Sequence, residues 1–277
     1  MTLATAISQT ETVADAEEAF RTARRRAQLR RRLLPLVGIA IFLGIWAALV
    51  YLFKVPPFVA PSPLLVAQTL VSKGDVLLAN LVPTAIEALS GFLLGNVVAI
   101  VIATAFVHKK TLEETFFPTV VLINTIPVVA KAPILVLLLG NGMEPKIAIA
   151  ALICFFPTLV NMVRGLEAVN PQAMELMRVL SASKREVFFK LRLYTSLPYL
   201  FSALKISAST SVVGAIVGEW IGSNVGIGAL IIQATYSFDS ALLYATVIVA
   251  SCFSMLFFLS VTMLERQIVR WQPSNAH

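Results

Sequence analysis

The chain has 277 residues, 58% of them hydrophobic and 13% charged, with a formal net charge of +7 and a mean hydropathy of +0.84. A soluble domain carries about 25% charged residues, so there is too little polar surface here to cover a water-soluble globule, and the continuous apolar runs exclude the alternating pattern of a β-barrel. The basic excess does not point to nucleic acid, because its distribution follows membrane topology.

Residues 1–33 are polar, acidic at first through Glu11, Asp15, Glu17 and Glu18, then basic from Arg21 to Arg32. They read as a cytoplasmic tail, in part an amphipathic helix. No small-residue cleavage site follows the apolar run, so a cleaved signal peptide is not expected. A run of roughly 20 apolar residues crosses a bilayer as a helix, and the first such span is Leu34–Phe53, ended by Lys54-Val55-Pro56-Pro57. Residues 64–83 read as an amphipathic connecting helix. The second span, Ile86–Val107, stops at His108-Lys109-Lys110. The third, Phe116–Leu139, contains Pro118, Pro127 and Pro133, and turns at Asn141-Gly142 and Pro145. The fourth is Ile147–Val163. A polar stretch, 164–196, leads to the fifth, Tyr199–Val217. A Gly-rich segment from Gly222 to Asp239 precedes the sixth, Leu242–Leu264, and residues 265–277 form a second tail. The expected fold is all-α: a polytopic membrane protein with six transmembrane helices in a domain spanning 34–264.

Six spans put both termini on one side, and charge selects the side. Seventeen of the 22 Lys and Arg lie with the termini and the 164–196 stretch, against Lys54, Lys73 and Lys146 opposite, with Lys131 and Lys205 inside spans. The positive-inside bias makes the former side cytoplasmic. Cys154 and Cys252 fall within apolar runs and read as packing residues. His108 and His277 are isolated, so no metal site is expected.

The 164–196 stretch is helical in pattern. Ala173, Leu176, Met177 and Leu180 recur at helical spacing, Ser181-Ala182-Ser183 breaks the helix, and Val187, Phe188 and Leu191 share a face of the next one. Two short amphipathic helices around a tight turn suit a docking knob for a cytoplasmic partner. They equally suit a pair lying on the membrane surface.

The run Glu175-Leu176-Met177-Arg178-Val179-Leu180-Ser181-Ala182-Ser183-Lys184, then Phe188, Leu193 and Leu197-Pro198, resembles the EAA loop of binding-protein-dependent ABC permeases. Leu176 and Met177 replace the family's two alanines, Tyr194 its proline, and Ser181 its glycine. If that turn requires positive φ, serine costs roughly 1 kcal/mol or more there. Pro61-Ser62-Pro63, Ser90-Gly91-Phe92, Ile126-Pro127, Ala132-Pro133, Phe155-Phe156-Pro157 and Gly218-Glu219-Trp220 follow in family order. The likeness is greatest to the nitrate, sulfonate, taurine and thiamine-precursor branch.

The resemblance implies a type I ABC importer permease fold in the bacterial inner membrane, two permease copies forming one pathway, and a periplasmic or extracellular substrate-binding protein that delivers a small, anionic solute. It implies that Glu175, Leu176, Met177, Ser181, Ala182, Ser183 and Phe188 couple the chain to a separate ATPase. The chain lacks a Gly-x-x-x-x-Gly-Lys-Ser/Thr phosphate loop, so ATP and Mg²⁺ belong to that partner. No cofactor of its own and no enzymatic activity are expected. A secondary carrier would need mid-membrane coupling carboxylates and an internal repeat, and a membrane enzyme a catalytic constellation; neither pattern is evident.

Two ionisable residues bear on a solute pathway. Lys131 lies in the third span between Pro127 and Pro133, where a charge is a functional candidate; a pathway cation, a pair with Glu87 or Glu219, and snorkelling all fit. Glu219 ends the fifth span beside the Gly-rich stretch. There it is either part of the outer gate that the resemblance implies or a solvated helix end. Lys205, two turns into its span, reads as snorkelling to the cytoplasmic face.

Overall fold

In hydrocarbon every backbone N–H and C=O must be satisfied within the chain, which apolar segments achieve as helices. The structure, a computed structural model, describes residues 33–271 together with Phe20, Arg24 and Arg30, and it is helical throughout with no strand among the described residues. Apart from those three positions, the charged tail before residue 33 lies outside the described residues, as do the last six, with His277.

The chain forms two compact units, residues 1–65 and 66–277. The first contains α1, Leu33–Leu52, whose end at left-handed Lys54 (φ 49°) precedes Pro56-Pro57. α2 is Pro63–Ser72 and α3 is Gly74–His108. The connecting helix expected over 64–83 is therefore shorter: Pro83 is accommodated inside α3, which starts nine residues before it. The third expected span is broken into α4, Lys110–Thr125, and α5, Val128–Leu139, bent by 99°. Proline restricts its predecessor to extended backbone, and Ile126 adopts φ −67°, ψ 126° ahead of Pro127. α6 is Glu144–Glu167, α7 Pro171–Val179, α8 Lys184–Val187, α9 Leu193–Glu219, α10 Ile227–Tyr236 and α11 Ser240–Ile268. Phe188–Arg192 is a π-helical turn joining α8 to α9 without a break. Among the described residues, five helices are long and apolar enough to cross a bilayer, or six when the bent α4–α5 pair counts as one span.

α6 is the central helix, packed between α3 and α9. Small residues set how closely membrane helices approach, since lipid supplies no hydrophobic drive between them. Gly91 and Gly95 present one G-x-x-x-G face of α3: a Cβ on Gly91 would meet Ala150 and the Ile147 carbonyl, and one on Gly95 would meet the Ala151 backbone. Gly214 and Gly218 form a second such face on α9, where added Cβ atoms would lie 2.7 Å from Ala150 Cα and 3.0 Å from Lys146 Cα. Two glycine faces thus grip adjoining stripes of one helix, both reaching Ala150. Polar side chains cross the same interface: Thr158 donates to Asn96 Oδ1 at 2.5 Å and lies 3.2 Å from Ser207 Oγ. Towards the other end of α6, Ala99, Ala103, Phe106, Leu159, Met162, Val163 and Leu166 close a dry core.

Lys205 Nζ pairs with Glu265, in the last turn of α11, at 2.9 Å, a half-buried bridge that fixes α11 to α9.

Candidate functional site

The α7–α8 turn is built from local capping chemistry. Asn170 accepts from Gln172 N at 2.8 Å and Pro171 fills the first helical position, so α7 has a defined start. Its end is a Schellman turn: Ser181 N donates to Arg178 O and Ala182 N to Met177 O, each at 2.9 Å. Ser181 sits at φ +54°, so the turn keeps the left-handed conformation that favours glycine, although serine occupies it. That costs serine about 1 kcal/mol. Ser183 then opens α8 with a capping box, accepting from Glu186 N at 3.3 Å while its own N–H reaches Glu186 Oε2 at 3.0 Å.

The residues implied to couple to an ATPase divide by where they point. Glu175 and Leu176 are exposed, and Leu176 (58%), Val179 (81%) and Leu180 (65%) leave an apolar stripe without cover in this chain. Met177 and Ala182 are half-buried, while Ser181 and Ser183 are exposed and shape the turn. Phe188 faces inward: its ring centroid is 4.9 Å from that of His108, and it packs on the core around Phe106 and Leu166. One element thus presents an outer apolar stripe and an inner aromatic wedge.

A second polar site lies where α3, α6 and α9 meet, towards the opposite end of α6. Glu87, Lys146 and Glu219 are 1%, 5% and 1% exposed. Lys146, expected among the solvated cations of the outer side, is buried instead. Its Nζ is 3.4 Å from Glu87 Oε1 and donates to Ser223 Oγ at 2.8 Å. Glu219 is not a solvated helix end: Thr84 Oγ1 donates to it at 2.6 Å and Gly228 N at 2.5 Å. Thr84 in turn accepts from Ile227 N at 2.8 Å, and Asn80 accepts from Gly226 N at 2.9 Å. The turn between α9 and α10 is therefore pinned to one face of α3. Gly226 lies at φ +112°, and a Cβ there would run into the Glu219 carboxyl. Of the two buried carboxyls, Glu87 alone has the ammonium beside it, and its Oε2 has no hydrogen-bond partner among the described residues. This cluster has little slack for substitution.

Lys131 lies in the first turn of α5, just past the α4–α5 bend. Its partner is neither Glu87, which Lys146 takes, nor Glu219. Instead it lines a cavity of about 100 Å³ with Asn124 from α4 and Phe155 and Phe156 from α6, half-buried and with no ion pair among the described residues. The bend is what brings α5's first turn over α6.

The sequence signal for the buried cluster was Glu87, a carboxylate inside an apolar run. Lys146 gave none, since it follows Pro145 and reads as part of a loop. Both G-x-x-x-G spacings were present, but which helix they grip depends on the crossing of three helices.

Residues 95–271 match the family described as "Binding-protein-dependent transport system inner membrane component". The chain is 31% identical to the formylaminopyrimidine transport permease protein ThiX of Halalkalibacterium halodurans, over 79% of this chain and 88% of that protein. It is also 31% identical to the riboflavin transport system permease protein RibX of Chloroflexus aurantiacus, over 86% and 90%. Identity to the putative aliphatic sulfonates transport permease protein SsuC of Bacillus subtilis is 28%, over 91% and 90%. Among solved structures, a chain of the inward-facing MetNI methionine ABC transporter superposes with a TM-score of 0.55 at 18% identity, over 75% of this chain and 98% of that one, a likeness of fold.

Proposed function

The chain belongs to the inner membrane components of binding-protein-dependent transport systems, and on that premise we propose that α7–α8 docks the ATPase and that two copies of the chain frame one solute pathway. As a permease subunit of an ABC importer it is a multi-pass membrane protein, with ATP hydrolysed on a separate subunit and solute brought by a binding protein. The observation that carries the docking reading is the exposed stripe of Leu176, Val179 and Leu180 on α7. Exposed apolar patches of this kind mark interaction sites. Phe188 then passes movement of the docked turn to α3 through His108 and to α6 through the core beneath it. The charge bias supports a cytoplasmic position for this turn and both termini.

The test is capture of the cognate ATPase by the tagged permease. Val179→Asp/Leu180→Asp places charge on an exposed face, so insertion and melting temperature should hold while capture falls at least tenfold. Undiminished capture would show that the ATPase docks elsewhere.

Lys131, Asn124, Phe155 and Phe156 are the proposed solute contacts. Their cation, amide and rings suit an anionic or heteroaromatic solute, in keeping with the cargo named for the pyrimidine, riboflavin and sulfonate relatives. Glu219 serves the outer turn as a latch, because its carboxyl is enclosed by the chain. Lys131→Met is expected to reduce uptake while leaving basal ATP hydrolysis and melting temperature unchanged. A fall in melting temperature with normal uptake would assign Lys131 a structural role instead.

A further inference from the structure

A cavity of about 410 Å³ lies where the end of α3 meets the α7–α8 turn. Arg178, Lys184, Arg192 and His108 line it, with Val187 and Phe188 in its apolar wall, and no Asp or Glu among the described residues contributes. Of the carboxylates nearby in sequence, Glu186 pairs with Lys190, and Glu113 and Glu167 with Lys110, while Glu175, one turn before Arg178, is exposed and does not line the cavity. Arg192 is steadied by the Leu166 carbonyl at 3.4 Å, and His108 Nδ1 by the Thr104 carbonyl at 2.8 Å. Arg178 and Lys184 have no carboxylate partner among the described residues. Three permanent cations therefore share one hollow without a counter-ion.

We propose that this cavity binds a phosphate group, supplied by an anionic lipid headgroup or by free phosphate. Guanidinium forks match phosphate oxygens two at a time, and an ammonium adds a point charge. Basic pockets at the cytoplasmic ends of membrane helices suit lipid headgroups. The proposal depends on the docking reading only for its side of the membrane. A bound phosphate bridges Arg178 and Lys184, on either side of the Ser181 turn, to Arg192 below them. Its occupancy thus sets how firmly the docking element is held against α3.

The experiment uses the full chain purified in a neutral detergent. Its melting temperature is followed against inorganic phosphate, dioctanoyl phosphatidylglycerol, and chloride at matched ionic strength. A ligand that binds only the folded state raises the melting temperature saturably. We expect such a rise with at least one phosphate probe and an apparent affinity at least tenfold weaker in Arg178→Gln/Lys184→Gln. Both positions are exposed, so the fold is retained. Arg185→Gln, a neighbour that does not line the cavity, should bind as the parent does. A response to phosphatidylglycerol alone identifies a lipid site, and a response to inorganic phosphate a free-phosphate site. An equal rise with chloride, no saturable rise with either probe, or an unchanged affinity in the double variant would overturn the proposal. No ATPase is present in this measurement, so its outcome is independent of the capture experiment.

Discussion

Lys146→Met is expected to destabilise the chain by about 3–5 kcal/mol, the usual cost of leaving a buried charge without its partner. The ammonium sits 3.4 Å from Glu87 Oε1, and both side chains are almost fully enclosed among α3, α6 and α9. Methionine fills much the same volume, so packing is kept and only the charge is lost. Glu87 would then be left without its cation, in a site where its Oε2 already lacks a hydrogen-bond partner. Lys146→Met/Glu87→Met should recover most of the loss, because replacing both members of a buried pair by hydrophobic residues of similar size is often close to neutral. Equilibrium unfolding of the single and double variants in mixed micelles provides the check. A single-variant loss below about 1 kcal/mol would mean that water reaches the site and solvates Glu87.

Gly95→Leu is the second large effect. The glycine leaves α3 in contact with the Ala151 backbone, and even a Cβ there has nowhere to go, since the opposing atoms are main chain. Overpacking a tight site costs about 1–3 kcal/mol where side chains can move. Here helices must separate, which also strains the Thr158–Asn96 hydrogen bond in the same crossing. The expected result is a loss of about 3 kcal/mol or more, with most of the protein failing to fold as a monodisperse species. Gly74→Ala is the control, because a Cβ there meets open space, and it should stay within about 0.5 kcal/mol of the parent. Size-exclusion profiles and unfolding of the two variants, side by side, decide the matter. Parental behaviour of Gly95→Leu would mean that α3 and α6 are looser than their geometry.

The spans were legible where apolar runs are long and uninterrupted. Leu34–Phe53 was read within one residue at each end of its helix, and the fourth, fifth and sixth runs lie within α6, α9 and α11. Where hydropathy and backbone geometry part company, the sequence misled. The run 116–139 is mostly apolar, yet it bends through 99° at Pro127. α3 starts at Gly74, with Pro83 accommodated inside it and Leu77 the one buried residue of its first two turns. The α7–α8 turn was legible down to Ser183, since caps and breaks are local chemistry. Lys146 was not, because its burial is decided by Gly218 and Glu87, residues 72 and 59 positions away. No periodicity within a window carries that information.

The π-helical turn at Phe188–Arg192 removes any loop between α8 and α9, so Lys184 to Glu219 is one rod of 36 residues. At 1.5 Å per residue its length is about 50 Å. One end is the exposed turn with Ser181, and the other carries the Glu219 carboxyl over Gly226 and Gly228. The rod lies on α6 along its length, from Ser196 and Tyr199 against Gly165 to Gly218 against Lys146. The two helices therefore move as one body, and a displacement of the exposed turn is carried to the Glu219 end without passing through a hinge.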